Sequence, residues 1–176
     1  MTQSLTHHPA LSQPSLLAPP VEAALRGLPW AGQVQVAEID PALSDTAAFC
    51  AEYGVALEES ANCVVIAGKR GGDVRYAACM VAAATRADVN GLVRRRLDVR
   101  KASFGSVDEV TSMTGMEYGG ITPIGLPSSW PVLVDESVAK SPRVVIGSGI
   151  RGSKLWLPGD RLAALPGAEV IPGLGI

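Results

Sequence analysis

Histidine is scarce in this chain of 176 residues, and its scarcity excludes several kinds of catalytic site. The two histidines, His7 and His8, both lie in residues 1–20, a stretch rich in Pro, Ser, Thr and Gln that we expect to be a flexible tail. A domain formed by residues 21–176 therefore has no Ser-His-Asp triad and no histidine-ligated metal unless the tail docks back onto it. Its chemistry must come from carboxylates, lysine, cysteine, hydroxyls, backbone amides or the substrate itself.

The chain also lacks the cysteine pattern of a disulfide-rich or zinc-binding protein. Cys50, Cys63 and Cys79 are odd in number and contain no C-x-x-C pair, which favours a reducing, cytoplasmic environment. The net charge of −2 and the absence of a recognition-helix motif give no reason to expect DNA binding. No apolar run reaches the ~18 residues of a membrane helix, and no signal peptide is visible. We expect no DNA, no membrane, no metal and no cofactor.

What the chain does contain is typical of one globular α+β domain. Hydrophobic residues make up 47% of the sequence and charged residues 18%. Periodicity and capping residues predict helices at residues 21–26, 44–53, 88–97, 107–114 and 160–165. Alternating or apolar runs predict strands at residues 34–39, 63–67, 75–84, 132–134, 144–146, 154–157 and 168–171. Because helices and strands mix without strict alternation, we predict an α+β fold with a curved, mixed sheet flanked by helices.

Two glycine-rich segments in the second half of the chain are the most informative local feature. The first glycine loop is residues 118–125 (YGGITPIG), and the second glycine loop is residues 147–152 (GSGIRG). Each segment taken alone is typical of an ordinary turn. Together, at the ends of strands, they predict one pocket lined by backbone N–H groups that bind a carbonyl, hydroxyl or phosphate.

Two charged features allow both a structural and a functional interpretation. Arg94, Arg95 and Arg96 end a predicted helix, with Lys101 close behind, and cations there are either stabilised by the helix dipole or available to phosphates. Asp135 ends a strand between the glycine loops. Its carboxylate would orient water or hold a substrate amine, or else accept hydrogen bonds from the backbone at the end of the strand.

The glycine loops and their surroundings resemble a known family. Residues 107–125 (VDEVTSMTGMEYGGITPIG), then VLVD ending at Asp135, then the second glycine loop, resemble the YbaK/prolyl-tRNA-synthetase-associated editing domain family in order and spacing. The resemblance covers most of the chain. It implies a single α+β domain with a barrel-like sheet. It also implies a cytoplasmic, trans-acting enzyme that hydrolyses the ester of mischarged aminoacyl-tRNA, usually tRNA-Pro, without a metal or cofactor.

The resemblance also implies roles for particular residues. Catalysis would involve Asn62 and four residues of the first glycine loop, Gly119, Gly120, Thr122 and Pro123. Substrate would be bound by Ile121, Asp135, Gly147, Ser148 and Gly149. The acceptor end of the tRNA would contact Arg94, Arg95, Arg96 and Lys101. In this family the attacking water is activated with help from the hydroxyls of the terminal adenosine.

One position departs from the family pattern. Many members carry a lysine immediately before the strand that here begins at Cys63, whereas this chain has Asn62. Asparagine donates and accepts hydrogen bonds but carries no charge. Lys69 or Arg75, on the neighbouring hairpin, are candidates to supply the missing cation. The alternative is a ligand-binding or tRNA-binding module that has the family's fold but does not hydrolyse its ligand. The sequence does not indicate an oligomeric state.

Overall fold

The computed structural model describes residues 2–176, whose strands form two sheets. The five-stranded sheet has the order β5-β3-β4-β6-β9, from β3 (Ala61–Arg70), β4 (Asp73–Ala82), β5 (Lys101–Phe104), β6 (Val132–Asp135) and β9 (Ala168–Ile171). The four-stranded sheet has the order β1-β2-β8-β7, from β1 (His7–Pro9), β2 (Gln35–Glu38), β7 (Val144–Gly147) and β8 (Ser153–Leu157). The helices are α1 (Pro19–Arg26), α2 (Thr46–Tyr53), α3 (Arg94–Leu97), α4 (Val107–Thr114), α5 (Glu136–Ala139) and α6 (Gly159–Ala163).

The five-stranded sheet is mixed, as the sequence predicts. β3 and β4 form a long antiparallel hairpin, in which Gly71 adopts a φ of +62° that favours glycine at the turn. β4 pairs in parallel with β6, and β6 in parallel with β9. The two sheets meet at a parallel bridge between Ser60 and Val145. The α+β fold is therefore confirmed, although the strands form two adjoining sheets and do not close into a barrel.

Local capping determines where the helices near the glycine loops begin and end. Asp45, one residue after the predicted Ser44, caps α2 by accepting a hydrogen bond from the N–H of Ala48. The carboxylate of Asp88 accepts from two backbone N–H groups and starts a π-helical turn, Val89–Val93, that continues into α3. Ser106 caps α4 through the N–H of Glu109, as its capping box predicts.

The N-terminal segment differs from the predicted flexible tail. β1 pairs with β2 in antiparallel register, and the N–H of Ala10 donates to the carbonyl of Val34 over 2.9 Å. The ring of His7 packs edge-on against Trp156, with 4.5 Å between ring centroids. The prediction rested on the polar composition of this stretch. Its few apolar residues, including Leu17, are nevertheless buried and hold the segment against the domain. The segment docks as a strand, and it covers an edge of the four-stranded sheet.

The main hydrophobic core lies between the two sheets and α1. Its fully buried side chains include Leu25 of α1, Met80 of β4, Ile146 of β7 and Leu155 of β8. Because both sheets contribute to this core, the positions of their strand ends are fixed relative to each other. No helix among residues 2–176 combines the length and apolar character needed to span a membrane.

Candidate active site

A cavity of about 410 Å³ opens where the two sheets meet, and we call it the site cavity. Its lining comes from the N-terminal end of α2, the start of β3, the first glycine loop, the end of β7, and Arg151 and Lys154 beyond it. The residues that line it are Ser44, Asp45, Thr46, Phe49, Ser60, Ala61, Asn62, Cys63, Val64, Tyr118, Gly119, Ile121, Val145, Ile146, Gly147, Arg151 and Lys154. No histidine is among them in the part of the chain that the structure describes.

The two glycine loops cross in direct backbone contact beside the site cavity. The N–H of Gly149 donates to the carbonyl of Gly120 over 2.7 Å. A Cβ atom on Gly120 would lie 2.6 Å from the carbonyl oxygen of Ile150, and one on Gly147 would lie 2.6 Å from the oxygen of Gly120. Because both contacts are with backbone, neither neighbour can rotate away. Glycine at these two positions is therefore what allows the loops to approach so closely.

At the crossing, some residues of each glycine loop line the site cavity and others are buried behind it. Gly119, Ile121 and Gly147, all predicted site residues, line the cavity. Gly120 is buried at the crossing itself. Gly119 has a φ of +91°, and a Cβ atom there would lie 2.9 Å from Oγ of Ser44. The loop backbone thus passes directly over the segment that precedes α2.

Four other predicted site residues support the loops and lie outside the cavity lining. Ser148 is fully buried, and its hydroxyl exchanges hydrogen bonds with the second glycine loop and Ser153. Gly149, at a φ of +90°, packs against Ala18. Thr122 and Pro123 are buried behind the first glycine loop, and Oγ1 of Thr122 has no hydrogen-bond partner in residues 2–176.

Asn62 lines the site cavity, as predicted, with its amide held in a defined orientation. The hydroxyl of Thr46 donates to its Oδ1 over 2.7 Å. Its Nδ2 makes no hydrogen bond to any of residues 2–176, so both of its N–H groups are available to a ligand in the cavity. Asn62 therefore presents hydrogen-bond donors to whatever binds there.

Lys154 is the feature of the site that sequence reasoning missed. It lies in β8, whose five residues are all buried, and only 7% of its surface is exposed. Its Nζ donates to the carbonyl oxygen of Ser44 over 2.9 Å and lies 5.4 Å from the centroid of the Phe49 ring. In the sequence Lys154 lies between Ser153 and the apolar run of residues 155–157, and a lysine directly before such a run is the signal that could have revealed it, because lysine is rarely buried without a partner.

Burial changes the acid–base properties of this lysine. Desolvation lowers the pKa of Lys154 from its usual value of 10.5, and the nearby Cys50 and Asp45 partly oppose that shift. Two thiols on the hairpin are inert for the same physical reason, since burial raises the pKa of Cys63 and raises the pKa of Cys79 to about 12.

The remaining predicted site residues lie away from the cavity lining. The carboxylate of Asp135 caps α5 through Ser137 and accepts from the N–H of Gly175 over 3.0 Å. The sequence left open whether Asp135 contacts substrate or accepts hydrogen bonds from the backbone at the strand end. The structure shows the backbone hydrogen bonds, because β6 ends on the side of the sheet where the C-terminal residues pack. Lys69 and Arg75 also lie outside the lining, and Arg75 donates to the carbonyl of Leu97 over 2.8 Å.

The predicted tRNA-contacting cations form an exposed group on α3 and β5. Arg94 donates to the carbonyl of Asn90, four residues earlier, and Arg96 pairs with Glu169 of β9 at 2.6 Å. Arg95 and Lys101 are exposed. None of the four lines the site cavity, so a contact with tRNA would be remote from the cavity itself.

Solved structures share this two-sheet architecture. One is a candidate trans-editing enzyme for prolyl-tRNA synthetase, with 24% identity and a TM-score of 0.73, covering 88% of this chain and 94% of that one. Another is the hypothetical protein APE2540, with 19% identity and a TM-score of 0.76, covering 89% and 99%. A scaffold protein for epitope grafting has 24% identity and a TM-score of 0.73, covering 88% and 95%. At these identities the likeness establishes a shared fold.

The sequence match identifies the family directly. A profile of the aminoacyl-tRNA editing domain matches residues 40–165, which is well over half of the chain. The protein therefore belongs to the aminoacyl-tRNA editing domain family, and the resemblance seen in the glycine loops is confirmed. No curated protein matches the chain in sequence.

A substitution at the loop crossing tests whether the close approach is structural. We expect Gly120→Ala to lower the free energy of unfolding by about 2 kcal/mol, because the new methyl group would overlap backbone atoms of Ile150. Gly152→Ala is the matched control in the second glycine loop, since its Cβ would lie 3.8 Å from Pro41. Urea unfolding measures both. Equal stability of the two variants would contradict the crossing.

The pKa of Lys154 predicts a pH-dependent stability difference. Between its lowered folded-state pKa and 10.5, the folded lysine has lost its proton while the unfolded one retains it. The unfolded state then binds more protons, so stability rises with pH in this window. We expect the unfolding free energy of the wild type, minus that of Lys154→Met, to increase from neutral pH to about pH 10.

The difference between the two proteins is the relevant quantity because other groups titrate in the same range. The raised pKa values of Cys63 and Cys79 lower stability at alkaline pH equally in both proteins. Lys140→Met serves as the control, since Lys140 is exposed on the surface. Urea unfolding across the pH range gives the free energies. A difference that stays flat with pH would show that burial does not perturb Lys154.

Proposed function

We propose that this protein is a trans-acting aminoacyl-tRNA deacylase that hydrolyses the ester of mischarged tRNA, with tRNA-Pro species as the first candidates. The observation that carries the proposal is the site cavity at the crossing of the two glycine loops, in a chain of the editing domain family. Its volume of about 410 Å³ is within the usual range for a pocket that binds a small ligand. An aminoacyl group joined to a terminal ribose is a ligand of that class.

The cavity favours a reaction that needs no histidine. Water would attack the carbonyl carbon of the ester, the bond from that carbon to the ribose oxygen would break, and the oxygen would leave with a proton. The amino acid would depart as a carboxylate. The neighbouring ribose hydroxyl of the substrate is the proposed source of help in activating the water, which proximity makes efficient. The protein would hold the ester in the orientation in which water can attack its carbonyl carbon.

Two groups are suited to hold the ester. The N–H groups on Nδ2 of Asn62 can donate hydrogen bonds to a carbonyl or to a ribose hydroxyl of the substrate. The backbone of Gly119 and Gly147, with no side chain between it and the cavity, allows the substrate to approach closely. Arg151 is exposed and lines the cavity, which suits contact with the terminal phosphates. Arg94, Arg95, Arg96 and Lys101 stay a prediction for contact further along the acceptor stem.

The test is deacylation of a panel of mischarged tRNAs, led by Ala-tRNA-Pro and Cys-tRNA-Pro, with Pro-tRNA-Pro as the correctly charged control. We expect the purified protein to hydrolyse at least one mischarged member at least about tenfold faster than the correct one, which corresponds to a modest difference in transition-state binding. The loss of the labelled aminoacyl ester over time measures hydrolysis. No hydrolysis of any member would contradict the proposal.

The uncharged side chain of Asn62 favours one second candidate, a module that binds an aminoacyl-adenosine without hydrolysing it. That candidate predicts binding of a non-hydrolysable analogue, no turnover by the wild type, and turnover gained in Asn62→Lys. Asn90→Lys is the matched control, because Asn90 is exposed and outside the site cavity. Under the deacylase proposal the wild type is active and Asn62→Lys does not exceed it.

A further inference from the structure

In its charged form, Lys154 is an ammonium group buried beside the site cavity. No carboxylate among residues 2–176 forms an ion pair with it, and its one hydrogen bond goes to the backbone oxygen of Ser44. An ammonium has three N–H donors, so two are left without a protein partner. Burying a charge costs free energy that the nearby Asp45 carboxylate offsets only in part, and a group perturbed in this way beside a cavity is a candidate for a functional role.

The surroundings of Lys154 fix where its two remaining donors can point. On β8 it lies opposite Gly147 of β7, and both residues line the site cavity. Nζ donates to the carbonyl of Ser44 and lies 5.4 Å from the centroid of the Phe49 ring. Ser44, Phe49 and Lys154 all line the site cavity, so a ligand there can reach the unpaired N–H donors of Nζ. The ammonium is therefore held in place before any ligand binds, which is the property that electrostatic catalysis requires.

We propose that Lys154 is a catalytic residue of this site, whose ammonium donates a hydrogen bond to the carbonyl oxygen of the aminoacyl ester and stabilises the negative charge that forms there. This inference rests on the proposed deacylase function. As the water oxygen bonds to the carbonyl carbon, the carbonyl π electrons move to the oxygen that faces Lys154. They return when the bond to the ribose oxygen breaks, and Lys154 itself gains and loses no covalent bond.

The depth of Lys154 distinguishes this role from phosphate binding. Phosphate groups of a bound tRNA end would stay near solvent, where Arg151 is exposed and donates to the carbonyl of Pro41. Lys154 is almost fully buried below that level. Lys154 would also supply to this cavity, from β8, the cation that the family pattern places at the position of Asn62.

The first test compares Lys154→Met with Lys140→Met. Lys140 is an exposed lysine at the C-terminal end of α5, where it pairs with Glu136. With the best substrate of the deacylation panel, we expect kcat of Lys154→Met to fall about 100-fold, as for loss of an oxyanion donor. KM should change by less than about threefold, because the interaction strengthens only in the transition state. Lys140→Met should match the wild type in both parameters. We expect the melting temperature of Lys154→Met to stay within about 4 °C of the wild type.

The second test uses two non-hydrolysable analogues and does not need turnover. One is an amide of aminoadenosine, which resembles the ester before attack, and the other is a phosphonate, whose anionic oxygens resemble the attacked ester. We expect the wild type to prefer the phosphonate, and Lys154→Met to lose most of that preference. A lysine with a merely structural role would weaken the binding of both analogues equally. Calorimetry gives the two affinities.

The outcomes separate this inference from the proposed function. Turnover by the wild type with an equally fast Lys154→Met would overturn the inference and leave the deacylase intact. No turnover by the wild type would overturn the deacylase, and the analogues would then decide the inference. Loss of phosphonate preference in the variant would support it, and no preference in the wild type would overturn it. If Lys154→Met does not fold, the affinities of Lys154→Gln, which keeps a neutral donor, are measured with the same two analogues.

Discussion

The backbone crossing of the two glycine loops is the contact on which the candidate site depends. The hydrogen bond from Gly149 N–H to Gly120 O joins a loop that follows α4 to a loop that follows β7. These segments are distant in sequence, and a side chain at Gly120 or Gly147 would keep them apart. Their contact brings the backbone of Gly119 over the start of α2 and closes one wall of the site cavity.

The second constraint is electrostatic. The cavity lining contains no histidine among residues 2–176, yet it includes three side chains with N–H donors, Asn62, Arg151 and Lys154. Donors that are held in place before a ligand binds stabilise developing negative charge more effectively than water molecules that must reorient. This arrangement suits a reaction in which an ester carbonyl oxygen becomes negatively charged and the substrate contributes to proton transfer.

Local features were predictable from sequence because local interactions determine them. The capping box at Ser106, the hairpin between β3 and β4 and the two glycine loops all follow from residues close in the chain. The same reasoning predicted the cap of α2 one residue early, at Ser44 instead of Asp45, because both residues suit that position. Asn62 was singled out because it stands where many members of the family have a lysine, and the structure places it in β3 (Ala61–Arg70).

Features that depend on packing between distant segments were not predictable in this way. Lys154 is buried beside Phe49 and Ser44, about a hundred residues earlier in the chain. Asp135 ends its strand near the loops in sequence, but its carboxylate caps α5 and binds the C-terminal backbone. The docking of β1 onto β2 depends likewise on pairing between distant residues, which no local sequence pattern predicts.

The central claim is that the cavity at the loop crossing is the ligand-binding site. The most direct test is to titrate ¹⁵N-labelled protein with a non-hydrolysable alanyl-adenosine analogue and to follow the backbone amide resonances. We predict that the largest shifts fall on residues 119–121, residues 145–147 and Asn62. Shifts concentrated on α3 and β5, or shifts absent from both glycine loops while the analogue binds, would contradict the account.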